Sequence, residues 1–277
     1  MPIRNRFAEM QSEITGWRRH LHQHPELLFE VHETAAFVQE RLKEFGVDEI
    51  TPGIGRTGVV AVIKGKTNKS GRVIGLRADM DALPIHEATG LDYASTVDGK
   101  MHACGHDGHT AILLGTAKYL AETRNFDGTA VMIFQPAEEG GAGGKEMVDD
   151  GMMDRWGIQE VYGLHNGPGI PVGEFAIRPG ALLASSDEFE ITVTGKGGHA
   201  AAPHDAVDTT LVAAQIVVSL QSVVARTVNP LHRVVVTVGT FETDSVASNV
   251  IAHSVRMKGT VRTLDKENRA LAEQRIR

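Results

Sequence analysis

Apolar residues recur every third or fourth position from Asn5 to Leu21, with Phe7, Met10, Ile14, Trp17 and Leu21 on one stripe, and this spacing predicts a helix. A second helix carries Ala35, Val38, Leu42 and Phe45 and stops at Gly46, a residue free to take the left-handed turn past a helix end. Apolar runs then follow at Gly58–Ile63, Arg72–Leu76 and Thr129–Phe134. A helical segment, Thr110–Glu122, separates the last two, and a short run, Glu160–Leu164, comes after them. Strands alternating with helices predict a largely parallel α/β sheet. Ligands of such sheets bind beyond the carboxyl ends of the strands. Chemistry-bearing residues follow those ends here: Asp79 and Asp81, then Glu138 and Glu139, then His165.

The pattern changes near Pro179. A strand (Glu188–Thr194), a long helix (Ala206–Arg226), strands Val234–Phe241 and Ser254–Val261, and a helix from Asp265 give the order β-α-β-β-α. A ferredoxin-like α+β unit needs one more strand, lying at the sheet edge against the first. Without it the edge is open to pairing. Two domains are therefore expected, 1–180 and 181–277, with the second cut short at Arg277. The alternative is a complete chain whose last helix simply ends there.

The length supports the same division, since 277 residues at roughly 150 per domain give about two. Lys and Arg number 28 against 35 Asp and Glu, a formal charge of −7, which argues against a nucleic-acid partner bound through phosphate neutralisation. Hydrophobic residues at 42% and charged residues at 23% exclude wholesale disorder. No stretch is read as approaching the roughly 20 apolar residues that span a bilayer, so no membrane partner is expected. Met1 to His24 lacks the apolar core of a signal peptide, and the single cysteine, Cys104, makes no internal disulfide. A cytoplasmic location is expected.

Of the 13 histidines, three fall with the only cysteine in His102-Ala-Cys104-Gly-His106-Asp107-Gly-His109. A thiolate and an imidazole two residues apart reach one metal ion if the chain turns at Gly105. A small buried cysteine would account for the pair equally well. In Gln135-Pro-Ala-Glu138-Glu139-Gly140-Gly141, adjacent carboxylates are costly unless one binds a cation and the other serves as a base on the water it activates. A solvated turn is the other reading, and a phosphate loop is excluded because no Gly-Lys-Ser/Thr follows. His165 ends an apolar strand, and Asp79 and Asp81 are placed to orient a ligating histidine. Cys, His, Glu and His ligands with a spare Glu suit Zn, Mn, Co or Ni better than Mg or Ca.

On these blocks, Leu76–Pro84, His102–His109, Gln135–Gly141 and Gly163–His165, together with Gly195–Ala200 and Asn249–Ile251, the chain resembles the aminoacylase/carboxypeptidase-G-like family of dinuclear metallo-hydrolases. It is most similar to the amidohydrolase subgroup of hippurate hydrolases, N-acyl-amino-acid amidohydrolases and auxin-conjugate hydrolases. The resemblance implies a catalytic α/β sheet domain with an inserted ferredoxin-like lid that also dimerises. It implies that Cys104 lies between two divalent metal ions, with His106, Glu139 and His165 as further ligands and Glu138 as general base and acid. Asp81 matches an acidic position behind the ligands, and Asp79 stands where sister families have a ligating His. His199 is similar to a histidine that reaches across a homodimer to stabilise the oxyanion, and Asn249 and Arg262 to residues that hold the substrate carboxylate.

Two departures stand out. The family's catalytic domain continues after the lid and brings a final metal-binding His, whereas this chain stops at Arg277; and Ala252 stands where a Pro often follows Asn-Val-Ile. The expected activity is metal-dependent hydrolysis of the amide bond of small N-acyl amino acids, hippurate included. A dipeptidase or an N-acetyl-diamino-acid deacetylase would use the same apparatus, and an inactive truncated remnant that dimerises or binds metal is the non-enzymatic reading. A zinc nucleobase deaminase is excluded by the single cysteine, and a serine hydrolase by the lack of a Gly-x-Ser-x-Gly elbow.

Overall fold

The N-terminal stripe folds as its spacing requires: α1 (Ile3–Gln23) buries Met10, Trp17 and Leu21. Helix α2 (His32–Phe45) ends at Gly46 in the left-handed conformation, where the glycine N–H closes onto the carbonyls of Leu42 and Lys43. The computed structural model describes residues 3–277; Met1 and Pro2, at the start of the polar N-terminal stretch, lie outside them. Two compact units result, Met1–Gly169 and Ile170–Arg277. The boundary expected at 180 falls inside the second unit, in the stretch without helix or strand between Gly163 and Ser185.

The first unit is built on a five-stranded sheet of β1 (Glu49–Ile54), β2 (Gly58–Lys64), β3 (Val73–Asp79), β4 (Thr129–Gln135) and β5 (Glu160–Gly163), in the order β1-β2-β4-β3-β5. Strand β3 runs parallel to β4 and β5, but β2 is antiparallel to both β4 and β1. The sheet is therefore mixed, which corrects the expectation of a largely parallel one. The missed strand is β1, whose Pro52 and Gly53 break the apolar pattern and suit only an edge strand; its register with β2 shifts between Pro52 and Ile54.

Both faces of β2 and β4 are covered. Residues Val59 to Ile63 are all buried. One face packs Ala61, Ile63, Met132 and Phe134 against Trp17, Val38, Leu42 and, from α3 (His106–Thr123), Leu114 and Ala117. The other packs Val60, Val131 and Ile133 against Met147 of α4 (Gly143–Asp149) and Met152 of α5 (Met152–Trp156). Each fully buried Leu or Phe contributes about 1.5–3 kcal/mol. Helix α3 starts four residues before the expected Thr110, so His106, Asp107 and His109 lie on its first turn, all buried. Because β3, β4 and β5 are parallel, their carboxyl ends share one sheet edge. Asp79, Gln135 and Gly163 close those strands.

The second unit contains β6 (Ser185–Thr194), β7 (Gly198–His199), α6 (Thr209–Ser222), β8 (Val234–Thr243), β9 (Val250–Ile251), β10 (Ser254–Thr263) and α7 (Lys266–Ile276). Its main sheet is antiparallel with order β6-β10-β8, the arrangement of a ferredoxin-like unit whose first strand is at one edge. Asp208 and Asp265 cap α6 and α7 by accepting the backbone N–H groups of Leu211 (3.0 Å) and Asn268 (2.8 Å). The helix α6 continues as a wider turn through Thr227, and Thr209–Thr227 is long and apolar enough to cross a membrane by length and composition. That corrects the reading that no stretch approaches such a length. Ala213, Leu220 and Val223 pack on the sheet, while Leu211, Val212 and Val218 are exposed. The two-residue ladder of β7 with β9 is too short to leave a pattern in the sequence.

Candidate metal centre

The chain reaches the site from the end of β3. Asp81 is buried, and its two carboxylate oxygens accept the backbone N–H groups of Glu138 (2.9 Å) and Glu139 (3.0 Å). The turn after β4 is thereby fixed by a side chain from just past the end of the neighbouring strand β3. It passes through Ala137 at φ +51, a left-handed conformation costing a non-glycine residue about 1–2 kcal/mol. Hydrogen bonds hold it there: Ala137 N–H donates to Leu28 O (3.1 Å), and Gly143 N–H donates to Ala137 O (3.0 Å). With its backbone pinned, Glu138 keeps its side chain 41% exposed, while the Glu139 side chain turns inward at 17%.

His106 donates from Nδ1 to the carbonyl of Asp81 (2.8 Å), so its Nε2 carries the free lone pair. That nitrogen is buried without a partner, 3.8 Å from Glu139 Oε1, itself unpartnered, and 3.9 Å from Glu138 Oε2. His165 donates from Nδ1 to the carbonyl of Asn166 (2.8 Å) and presents Nε2 at 3.4 Å from Cys104 Sγ. Cys104, His106 and His165 offer donor atoms within 4.8 Å of one another, as do His106, Glu138 and Glu139. Both tautomers are thus set so that metal-binding nitrogens face one small volume.

The electrostatics agree. Burial pushes the Cys104 thiol up to about 12, helped by its hydrogen bond to Glu139 and by the charges of Glu139, Glu138 and Asp79. Such a cluster disfavours its own thiolate unless a cation is present. Thiolate, imidazole and carboxylate donors with orphaned buried atoms fit divalent transition-type metal ions. Asp79 does different work. Its burial raises the carboxyl pKa, but the hydrogen bond from His109 and the charges of Arg77, His106 and His109 outweigh this and hold it at about 2. Arg77 Nη1 binds Oδ2 (2.7 Å) and His109 Nδ1 binds Oδ1 (2.7 Å), so both oxygens are occupied and Asp79 anchors its neighbours.

All eight residues singled out on the sheet edge and the His-rich block, Asp79, Asp81, Cys104, His106, Glu138, Glu139, His165 and the turn-forming Gly105, lie in the first unit. In the second unit, His199 is exposed on β7, and Ala200 N–H donates to Asn249 O (3.0 Å), which sets those two segments side by side. Arg262 is not brought to them. It is half-buried near the end of β10, opposite Ser186 and Val235, and its guanidinium is engaged by Val261 O (3.1 Å) and by Thr260 Oγ1. Sequence reasoning assigned no role to His109 or Asn166. His109 could have been found as the i+3 neighbour of His106 on a helix starting at that residue; Asn166 carries no signal of its own.

The chain matches the model of Peptidase family M20/M25/M40 over residues 75–248. It is 48% identical over 270 residues to an N-acetyl-L-cysteine deacetylase of Bacillus subtilis, covering 97% of this chain and 64% of that protein. It is 46% identical to a hippurate hydrolase of Campylobacter jejuni, covering 97% of this chain and 69% of that protein. The chain thus spans about two-thirds of the length of these relatives. The crystal structure of a dinuclear metal binding peptidase from the M20 family of Bacillus subtilis superposes with a TM-score of 0.74 at 39% identity, over 97% of this chain and 71% of that one. Site geometry, donor chemistry and these likenesses agree, and the chain belongs to peptidase family M20/M25/M40.

Proposed function

We propose that the protein hydrolyses the amide bond of small N-acyl amino acids, releasing a carboxylic acid and a free amino acid. The observation that carries this reading is the convergence of unpartnered Nε2 of His106 and Oε1 of Glu139 with Cys104 Sγ and His165 Nε2, beside a solvent-facing Glu138. Relatives named for acetylcysteine and hippurate support the substrate class. Cys104, His106, Glu139 and His165 would hold two divalent ions, with Mn, Zn, Co or Ni as the candidates for this donor set. When bound, the ions supply Lewis acidity toward the amide carbonyl and toward water.

The residues do the rest. Glu138 takes the proton of the attacking water and delivers it to the leaving nitrogen, a contribution of roughly 10²–10⁴ in rate. Asp81 keeps Glu138 and Glu139 in register by gripping both backbone amides. In the same reading, His199 donates to the developing oxyanion from the second subunit of a homodimer formed through the lid, and Asn249 holds the substrate carboxylate. A cytoplasmic location belongs to the reading too, because a reducing compartment preserves a lone metal-binding thiol.

A panel of hippurate and N-acetyl amino acids, assayed with added Mn or Zn and with a chelator control, tests the proposal. Chelator-sensitive amino acid release is expected, and Glu138→Gln should keep bound metal while losing about 10²–10⁴ of turnover. A metal-loaded chain that hydrolyses none of the panel overturns it. Mixing Glu138→Gln with His199→Ala should restore part of the activity through hybrid dimers; subunit exchange without rescue rejects the trans role of His199.

A further inference from the structure

We propose that His109 and Asn166 form a clamp that fixes the ring of His165 in its metal-binding tautomer. This rests on the metal reading of the site and adds two positioning residues to it. His165 needs such help. Strand β5 ends at Gly163, and His165 follows in an exposed stretch with no regular structure. Besides Nε2 facing Cys104 Sγ (3.4 Å), its ring is held by the Nδ1–H donated to Asn166 O (2.8 Å).

Asn166 is in turn held by His109. The His109 ring is buried on the first turn of α3, and its Nδ1–H is committed to Asp79 (2.7 Å). Its Nε2 therefore accepts the backbone N–H of Asn166 (3.0 Å); the terminal amide of Asn166 reaches the same nitrogen, with Oδ1 at 2.7 Å, and with that tautomer the amide bonds there only when turned to present its NH₂. The two imidazoles also meet edge to face, with centroids 4.6 Å apart. Gly105 makes room for the clamp: it sits at φ +91, and a Cβ there would come within 2.6 Å of Asn166 Oδ1.

The chain of contacts runs from Asp79 at the end of β3, through α3, to the loop after β5. It joins two parallel strand ends through one helix turn. His109 lies close enough to Asp79 and His106 to be counted with them as a metal triad. Both its ring nitrogens are already engaged, however, so it acts through His165 rather than as a ligand. Losing a partner that orients a ligating histidine typically costs 10–100-fold in metal affinity.

The test uses the full chain and His109→Ala, with His109→Gln as a variant that retains a polar end group in the cavity. In the metal-free protein, ring nitrogen NMR should show His165 as a single Nδ1–H tautomer, and a mixture in His109→Ala. Cobalt titration should show about 10–100-fold weaker binding in His109→Ala, with His109→Gln intermediate. The cobalt protein should give two paramagnetically shifted imidazole N–H signals, from His106 and His165. An unchanged His165 tautomer with cobalt affinity within about twofold overturns the clamp, and so does a third shifted signal that His109→Ala removes. Wild-type protein that binds no cobalt defeats the metal reading instead, and the metal-free tautomer then still decides whether the clamp exists. If His109→Ala does not fold, His109→Gln carries the same two measurements.

Discussion

At the residue scale, the site is organised by one buried carboxylate. Asp81 spends both oxygens on backbone amides of the turn that carries Glu138 and Glu139. An asparagine of the same shape would set an NH₂ group against one of those N–H donors. Leaving a buried donor unsatisfied costs about 1–3 kcal/mol. Asp81→Asn should therefore lower unfolding free energy by about that amount in urea, and weaken metal binding with it. A variant as stable as wild type would show that the turn holds itself. The chemistry-bearing residues here were legible in the sequence: Cys104, His106, Glu138, Glu139 and His165 are the residue types metals need, each placed after an apolar run or in the His-rich block. Of the positioning residues, Asp79 and Asp81 were singled out behind the ligands, but the grip of Asp81 on two backbone amides and the part played by Asn166 were not legible. Asp81 and Asn166 act largely through backbone groups 57 residues away or beside themselves, and such contacts leave no spacing in the chain.

At the element scale, the loop from β2 to β3 shows how a single side chain closes a connection. Asp127 accepts the backbone N–H groups of Lys69 (2.9 Å) and Ser70 (2.8 Å) and the hydroxyl of Thr67. Hydrogen bonds from Ser70 foremost, then Thr67 and the backbone of Lys69, hold its carboxyl well below the usual aspartate range. A carboxyl whose pKa is depressed on folding stabilises the protein above its unfolded pKa, and the stabilisation is lost as pH falls through the folded value. Asp127→Asn should thus be less stable than wild type at pH 7, and the gap should narrow only below about pH 4. A gap that persists unchanged into strong acid would mean the loop depends on shape rather than charge. The elements missed in the sequence fail for related reasons. Strand β1 is interrupted by Pro52 and Gly53, and α3 begins within the His-rich block, where buried polar residues replace the apolar stripe that marks other helices.

At the scale of the whole molecule, the division into two units separates the metal donors from the residues proposed to meet the substrate. Every donor atom belongs to Met1–Gly169, while His199 and Asn249 belong to Ile170–Arg277. Each unit has its own core, with Phe134, Leu114 and Met132 in the first and Met257, Val255 and Val236 in the second. Metal binding stabilises only the folded state that contains its ligands, by about 2.7 kcal/mol at a free concentration of 100 Kd. Chelation should therefore lower the thermal transition of the first unit and leave that of the second in place. Met257→Ala, which empties a fully buried position of the second core, should do the reverse at a cost of about 2–5 kcal/mol. Calorimetry of the two proteins, each with and without chelator, separates the effects: the shifts should fall on different transitions and add in the variant treated with chelator. If chelator and Met257→Ala lower one and the same transition, the units unfold together, and metal binding in the first is felt by the substrate-holding residues of the second.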